Sequence, residues 1–139
     1  MKKVFTYEEK KERAFLRVTR VIYDLWEEDS GVHTRILDWL IDDELTTIGT
    51  SINGGGHREH LVPCLAIIMK CKEMFNSGDS VESVAAMIKR NLKIAHITKK
   101  EARVIDVDLK YKSTMPPNWS FTTGDVKERL NLAKIEILD

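Results

Sequence analysis

The chain is poor in cysteine and proline and carries no net charge. Cys64 and Cys71 are its only cysteines. Their C-x6-C spacing is neither a CxxC pair nor a zinc pattern. Both fall in an apolar stretch, where a thiol behaves as a small hydrophobe. No disulfide framework follows, which suits a reducing compartment. No run approaches the roughly 18 apolar residues of a membrane span. The opening "MKKVFTYEEKKERAF" starts with lysines but lacks the apolar core of a signal peptide, so a cytoplasmic protein with no membrane partner is expected. The 22 basic and 22 acidic side chains cancel. Binding to nucleic acid through net charge alone is thereby disfavoured, while a local basic patch is not.

What is present is enough for one globular unit. A length of 139 residues with 42% hydrophobic content suits a single domain over 1–139. There is no repeat or low-complexity segment. Phe15, Val18, Ile22, Leu25 and Trp26 recur at helical spacing and predict a helix from about Tyr7 to Glu28. A second helix is expected over Val32–Glu44, with Ile36, Leu37, Leu40 and Ile41 inside. "LTTIGTSI" and "HLVP" read as short strands flanking "NGGG", the strongest turn signal in the chain. Cys64–Asn76 reads as a helix stopped by Gly78. Asp79 with Glu82, and Thr98 with Glu101, resemble capping boxes that open two more helices, to about Leu92 and Asp106. "LKIAHIT" between them leans towards strand. "TMPPNW" must be irregular, because two prolines fix φ and remove two donors. A last helix begins near Gly124 or Asp125. The expected fold is α+β, predominantly α, with five or six helices and a short β-hairpin around residues 45–63.

The densest chemistry lies in "GGGHREHLVPC", Gly54–Cys64. In a strand, His57 and Glu59 share one face and His60 points to the other. Glycines permit a bend that could bring them together. An imidazole next to a hard cation bound to phosphate is the equipment of a metal nuclease.

"REHLVP" resembles the D/E-H-[IV]-x-P signature of the HNH nucleases of the ββα-metal group. The resemblance implies His60 as general base, Glu59 as a metal ligand and Pro63 as the residue that turns the chain. His57 or His96 would complete the metal site, which implies Mg²⁺, Mn²⁺ or Zn²⁺. The family's further ligand sits on a following helix, and the candidates here are Asn76, Asn91 and His96. The wider pieces "REHLVPC", "NLKIAHITKKEARVID" and "MPPNWSFTTGDVKERL" resemble a family of small bacterial and phage proteins without an established activity. A second motif, Arg90-Asn91 followed by His96, resembles the R-x4-6-H signature of the HEPN ribonucleases, which cut RNA without metal.

Other residues are weighed beside these. Arg58, Lys89, Arg90 and Lys93, with Lys99 and Lys100, would form a local basic surface for nucleic acid. Trp119, after two prolines, would either stack on a base or partner, or close over the core. Trp26 and Trp39 are expected in the core, and His33 at a helix start is expected to be solvated or packed. Helical spacing puts Asp38 and Asp42 of the acidic group Asp38, Asp42, Asp43 and Glu44 on one side, as a solvated face. Two functions follow: a small metal-dependent nuclease of HNH-like type, or a decayed relative; or a non-enzymatic phage or mobile-element protein that binds and inhibits a host protein.

Overall fold

The structure is a computed structural model and describes residues 1–138. It shows a mostly helical α+β domain of six helices and a small four-stranded sheet.

α1 (Tyr7–Glu27) starts at a complete capping box, with Thr6 and Glu9 each accepting from the other's backbone N–H. Phe15, Val18 and Ile22 on its inner face are essentially sealed from solvent. Burial of this kind contributes about 1.5–3 kcal/mol per side chain. α1 packs mainly on α4 (Val81–Asn91), and less on α3 (Cys64–Asn76) and α2 (Ile36–Leu40). Gly78 ends the α3 segment with φ +84°, the left-handed conformation that glycine adopts without strain. The α4 cap is Ser80, whose side chain accepts from the Ser83 N–H. It lies one residue beyond the expected Asp79, whose backbone N–H instead closes the preceding turn onto Met74.

The second helix is much shorter than the 32–44 span expected. It stops after Leu40, where Ile41 turns to extended backbone (φ −118°, ψ 120°) and buries its side chain. A single 3-10 turn follows at Asp43–Leu45. Burial of Ile41 and Leu45 in the helical core outweighs continuation of a helix, whose propensity is only a weak preference.

The strands are β1 (Thr47–Ser51), β2 (His57–His60), β3 (Ile94–Ile97) and β4 (Ile137–Leu138), in the order β2-β3-β1-β4. The hairpin expected around residues 45–63 is therefore corrected. Both of its strands form, although the second is shifted to 57–60, but β3 lies between them. β3 runs parallel to β1 and antiparallel to β2. Three of its four residues, Ile94, Ala95 and Ile97, are buried, which a central strand satisfies and an edge strand does not. The 52–56 loop consequently passes over the end of β3. There Gly54 and Gly56 take φ of +107° and +119°, and a Cβ on Gly55 would stand 3.5 Å from the His96 Cβ. A second apolar cluster, built on Leu61, Ala95, Ile97, Ala102, Ile105, Leu130 and Ile135, joins the sheet to α5 (Lys99–Arg103) and α6 (Glu128–Leu132). The Thr98–Glu101 capping box opens α5 as expected. A π-helical turn, Val104–Asp108, continues it. The last helix starts later than expected, at Glu128, after a turn closed by Asp125.

Candidate functional site

β2 sorts its four side chains by parity, as the two-residue period of a strand requires. His57 and Glu59 go to one face and Arg58 and His60 to the other. The structure thus separates Glu59 from His60.

On the first face, Glu59 is buried at 8% exposure and meets Arg129, which is 1% exposed. One carboxylate oxygen of Glu59 accepts from Arg129 at 3.4 Å, and the other lies 3.0 Å from His57 Nε2. Arg129 also donates to the carbonyls of Leu61 and Tyr111 and, very closely, to that of His60. Burial pushes the Arg129 guanidinium below its ordinary value, with Glu59 and Asp106 opposing. Glu59 is thus half of a buried ion pair that ties α6 to β2. Taking it for a metal would leave the Arg129 charge uncompensated.

On the second face, Arg58 donates from Nε to Asp43 at 2.8 Å and from a terminal nitrogen to Asp43 at 2.6 Å and Asp38 at 2.9 Å. His60 Nε2 lies 2.8 Å from the same Asp38 oxygen. The break at Ile41 makes this possible, since an unbroken helix sets Asp42, not Asp43, beside Asp38. Burial pushes the Asp38 carboxyl up, but hydrogen bonds from Arg58 and His60 outweigh it and the net shift is downward. Arg58 holds Asp43 down as well. Arg58 itself is held above its ordinary value, by Asp43 first and then Asp38. His96 joins this face from β3, where it is the register partner of Arg58. The register partner of His60 is Ile94, so His60 and His96 are diagonal neighbours, at roughly 7–8 Å. Cys64, just beyond, is partly buried and its thiol is pushed up to about 12, by burial first and then Asp38. It is a packing residue at neutral pH.

The expected metal donors therefore do not form one set. His57 and Glu59 lie on one side of the strand and His60 and His96 on the other. Among the described residues, no three His, Cys, Asp or Glu side chains are grouped to hold a metal ion.

The expected basic surface is dispersed. Lys89 pairs with Glu12 at 3.0 Å. Arg90 donates to the carbonyls of Phe121 and Gly124, and Asn91, fully buried, to those of Met87 and Phe121. Arg90 and Asn91 thus fasten the 121–124 segment to α4. Lys93 is half-buried, and its ammonium is pushed down by burial and by Lys11 and Lys89. Trp119 packs on the helical core, edge-on to Phe121, with its indole N–H donating to the Asp125 carbonyl. Trp26 also packs on the core. Trp39 does not: it is 66% exposed and stacks on His33, because the short α2 turns its outer side to solvent.

Arg129 and the link from Asp38 and Asp43 to β2 are not among the expected site residues. The signal for the second was the acidic group itself, the consecutive Asp42, Asp43 and Glu44 with Asp38 four residues before them. No signal marked Arg129.

No family model matches the chain, and no curated protein or solved structure matches it either. No helix among the described residues is long and apolar enough to cross a membrane.

Proposed function

We propose that the protein binds RNA and cleaves it by acid–base chemistry at His60 and His96. The reading is supported by one constellation: His60, Arg58 and His96 share one face of β2–β3, and Asp38 holds His60 at 2.8 Å. Asp38 fixes the ring through Nε2 and leaves Nδ1 to work as the base. A carboxylate behind an imidazole stabilises the cation formed when it takes a proton. His60 keeps a fifth of its side-chain surface open.

In the reaction, His60 takes the proton of a ribose 2′-hydroxyl. The 2′-oxygen attacks the neighbouring phosphorus, and the P–O5′ bond breaks. The product is a 2′,3′-cyclic phosphate, and the departing 5′-oxygen takes a proton from His96. Arg58, paired with Asp43 and Asp38, acts only by holding the Asp38 carboxylate that orients His60. The Glu59 position of the HNH-like motif has no part in this scheme, because its carboxylate is committed to Arg129.

The test is cleavage of end-labelled RNA and DNA by wild type, His60→Ala and His96→Ala, each in EDTA, Mg²⁺ and Mn²⁺. The expected result is RNA cleavage in EDTA with cyclic phosphate ends, DNA untouched, and both variants slowed at least a hundredfold. Inert wild type, or full activity in His60→Ala, overturns the reading. Cleavage of DNA that requires added metal restores the metal nuclease instead. An inert protein that co-purifies with one host protein points to the inhibitor reading.

A further inference from the structure

We propose that the outer face of α1, together with Trp39, is a binding track for single-stranded RNA. This deepens the reading above, rests on it, and names the form of its substrate.

Lys10, Arg13, Arg17 and Arg20 follow one another at i, i+3, i+7 and i+10, which places them along one side of the helix over about 15 Å. All four are exposed. Among the described residues, none of their side chains takes part in an ion pair. What sets the row apart is that the four cations lie along one side of a single helix.

The row borders a cleft of about 460 Å³ between α1 and the α2 segment, lined by Phe5, Lys10, Arg13, Arg17 and Trp39 among others. Arg13 lies 4.2 Å over the Phe5 ring, and both residues line the cleft. Trp39, 66% exposed and stacked by His33 at one side of its ring, lines the same cleft. Cations that track a phosphate backbone and an aromatic ring that stacks on a base are the two components of single-strand binding. Leu16 and Val21 continue the surface past Arg17 to Arg20, where Asp24 ends it.

The acidic residues of the cleft decide between one strand and two. Asp42 and Glu44, from the segment after α2, line the cleft together with the cations of α1. A duplex brings two phosphate rails, and the second would meet these carboxylates. A single strand places its phosphates on α1 and its bases towards Trp39. Asp38 also lines the cleft, so a strand lying in it reaches the residue that holds His60.

The test is fluorescence anisotropy with a labelled 2′-O-methyl RNA 12-mer, single-stranded or annealed to its complement. The methyl group removes the attacking hydroxyl and so separates binding from cleavage. Wild type is compared with Arg13→Gln/Arg17→Gln/Arg20→Gln and with Trp39→Ala, all checked for fold by circular dichroism. The single strand is expected to bind at least tenfold more tightly than the duplex. Removing three cations is expected to weaken binding at least tenfold at low salt, and to reduce the log–log salt slope by about 2. Trp39→Ala is expected to weaken binding about tenfold with the slope unchanged. Equal affinity for duplex, or wild-type affinity in the triple variant, overturns the proposal. So does displacement of the RNA by polyglutamate at equal charge concentration, which would mark the surface as one for an acidic protein. Binding without cleavage leaves the track standing and sinks the catalytic reading. Cleavage with binding that ignores the row does the reverse.

Discussion

Arg129 and Glu59 stand 70 positions apart and meet inside the protein at 3.4 Å. Glu59 also meets His57 at 3.0 Å, and Arg129 feels Asp106 at longer range. Breaking a buried pair from one side leaves the other charge unsolvated, at about 3–5 kcal/mol. Arg129→Met is therefore expected to lower the urea unfolding free energy by that order. The double variant with Glu59→Gln should cost clearly less than the sum of the two single changes. Additive costs would show that the two side chains are not coupled.

Asp38 and Asp43 predict a pH dependence of defined sign. Both carboxyls titrate below their ordinary value of 3.8 in the folded protein. The unfolded chain thus binds protons first as pH falls. Their contribution is complete well above pH 3.8 and disappears as pH drops through the depressed folded values. Arg58→Met removes the common partner, so its acid unfolding curve should be flatter across that window. Identical slopes for the two proteins in urea titrations at successive pH values would contradict the assignment.

Asn91 tests whether the Arg90-Asn91 pair is structural. Its amide joins α4 to the Phe121 carbonyl from a fully buried position. Asn91→Ala leaves that carbonyl without this donor and is expected to cost about 1–3 kcal/mol. Hydrogen exchange should quicken across residues 119–124. An unchanged exchange pattern with lost RNA cleavage would instead give Asn91 the role that the HEPN-like motif suggests.

Gly49 predicts what holds β4 to the sheet. A Cβ there would fall 2.0 Å from the Leu138 carbonyl oxygen and 2.9 Å from Ile137 Cγ2. Gly49→Ala should therefore expel β4. Its cost, measured by thermal unfolding, is expected to shrink in a chain ending at Glu136, where nothing remains to clash. The same cost in both backgrounds would place the strain within β1 itself.

Trp26 and Trp39 are expected to differ sharply. Trp26 packs against Tyr23 and Phe75 and donates its indole N–H to Asn76. Replacement by alanine should cost on the order of 3 kcal/mol. Trp39→Ala should stay within about 0.5 kcal/mol, as surface changes do. A large loss at Trp39 would mean that its stacking on His33 holds α2 in place.

Local signals carried much of the architecture. The apolar spacing of α1, the helix from Cys64, the Gly78 stop, the Thr98–Glu101 box and the irregular proline segment are all properties of near neighbours, and each forms where the sequence puts it. The opposed faces of Glu59 and His60 were also legible, because strand parity is fixed by the backbone alone. Pairing between distant segments was not. That β3 separates the two strands around the glycines follows from burying Ile94, Ala95 and Ile97 on both faces, a demand that only the assembled core makes. That Asp43 rather than Asp42 joins Asp38 follows from a helix broken to bury Ile41. Arg129 reaches Glu59 only because α6 folds back onto the sheet. Near neighbours along the chain fix which side chains each segment offers and on which side. The tertiary structure alone decided which of them meet, because that depends on long-range burial and on the compensation of buried charge.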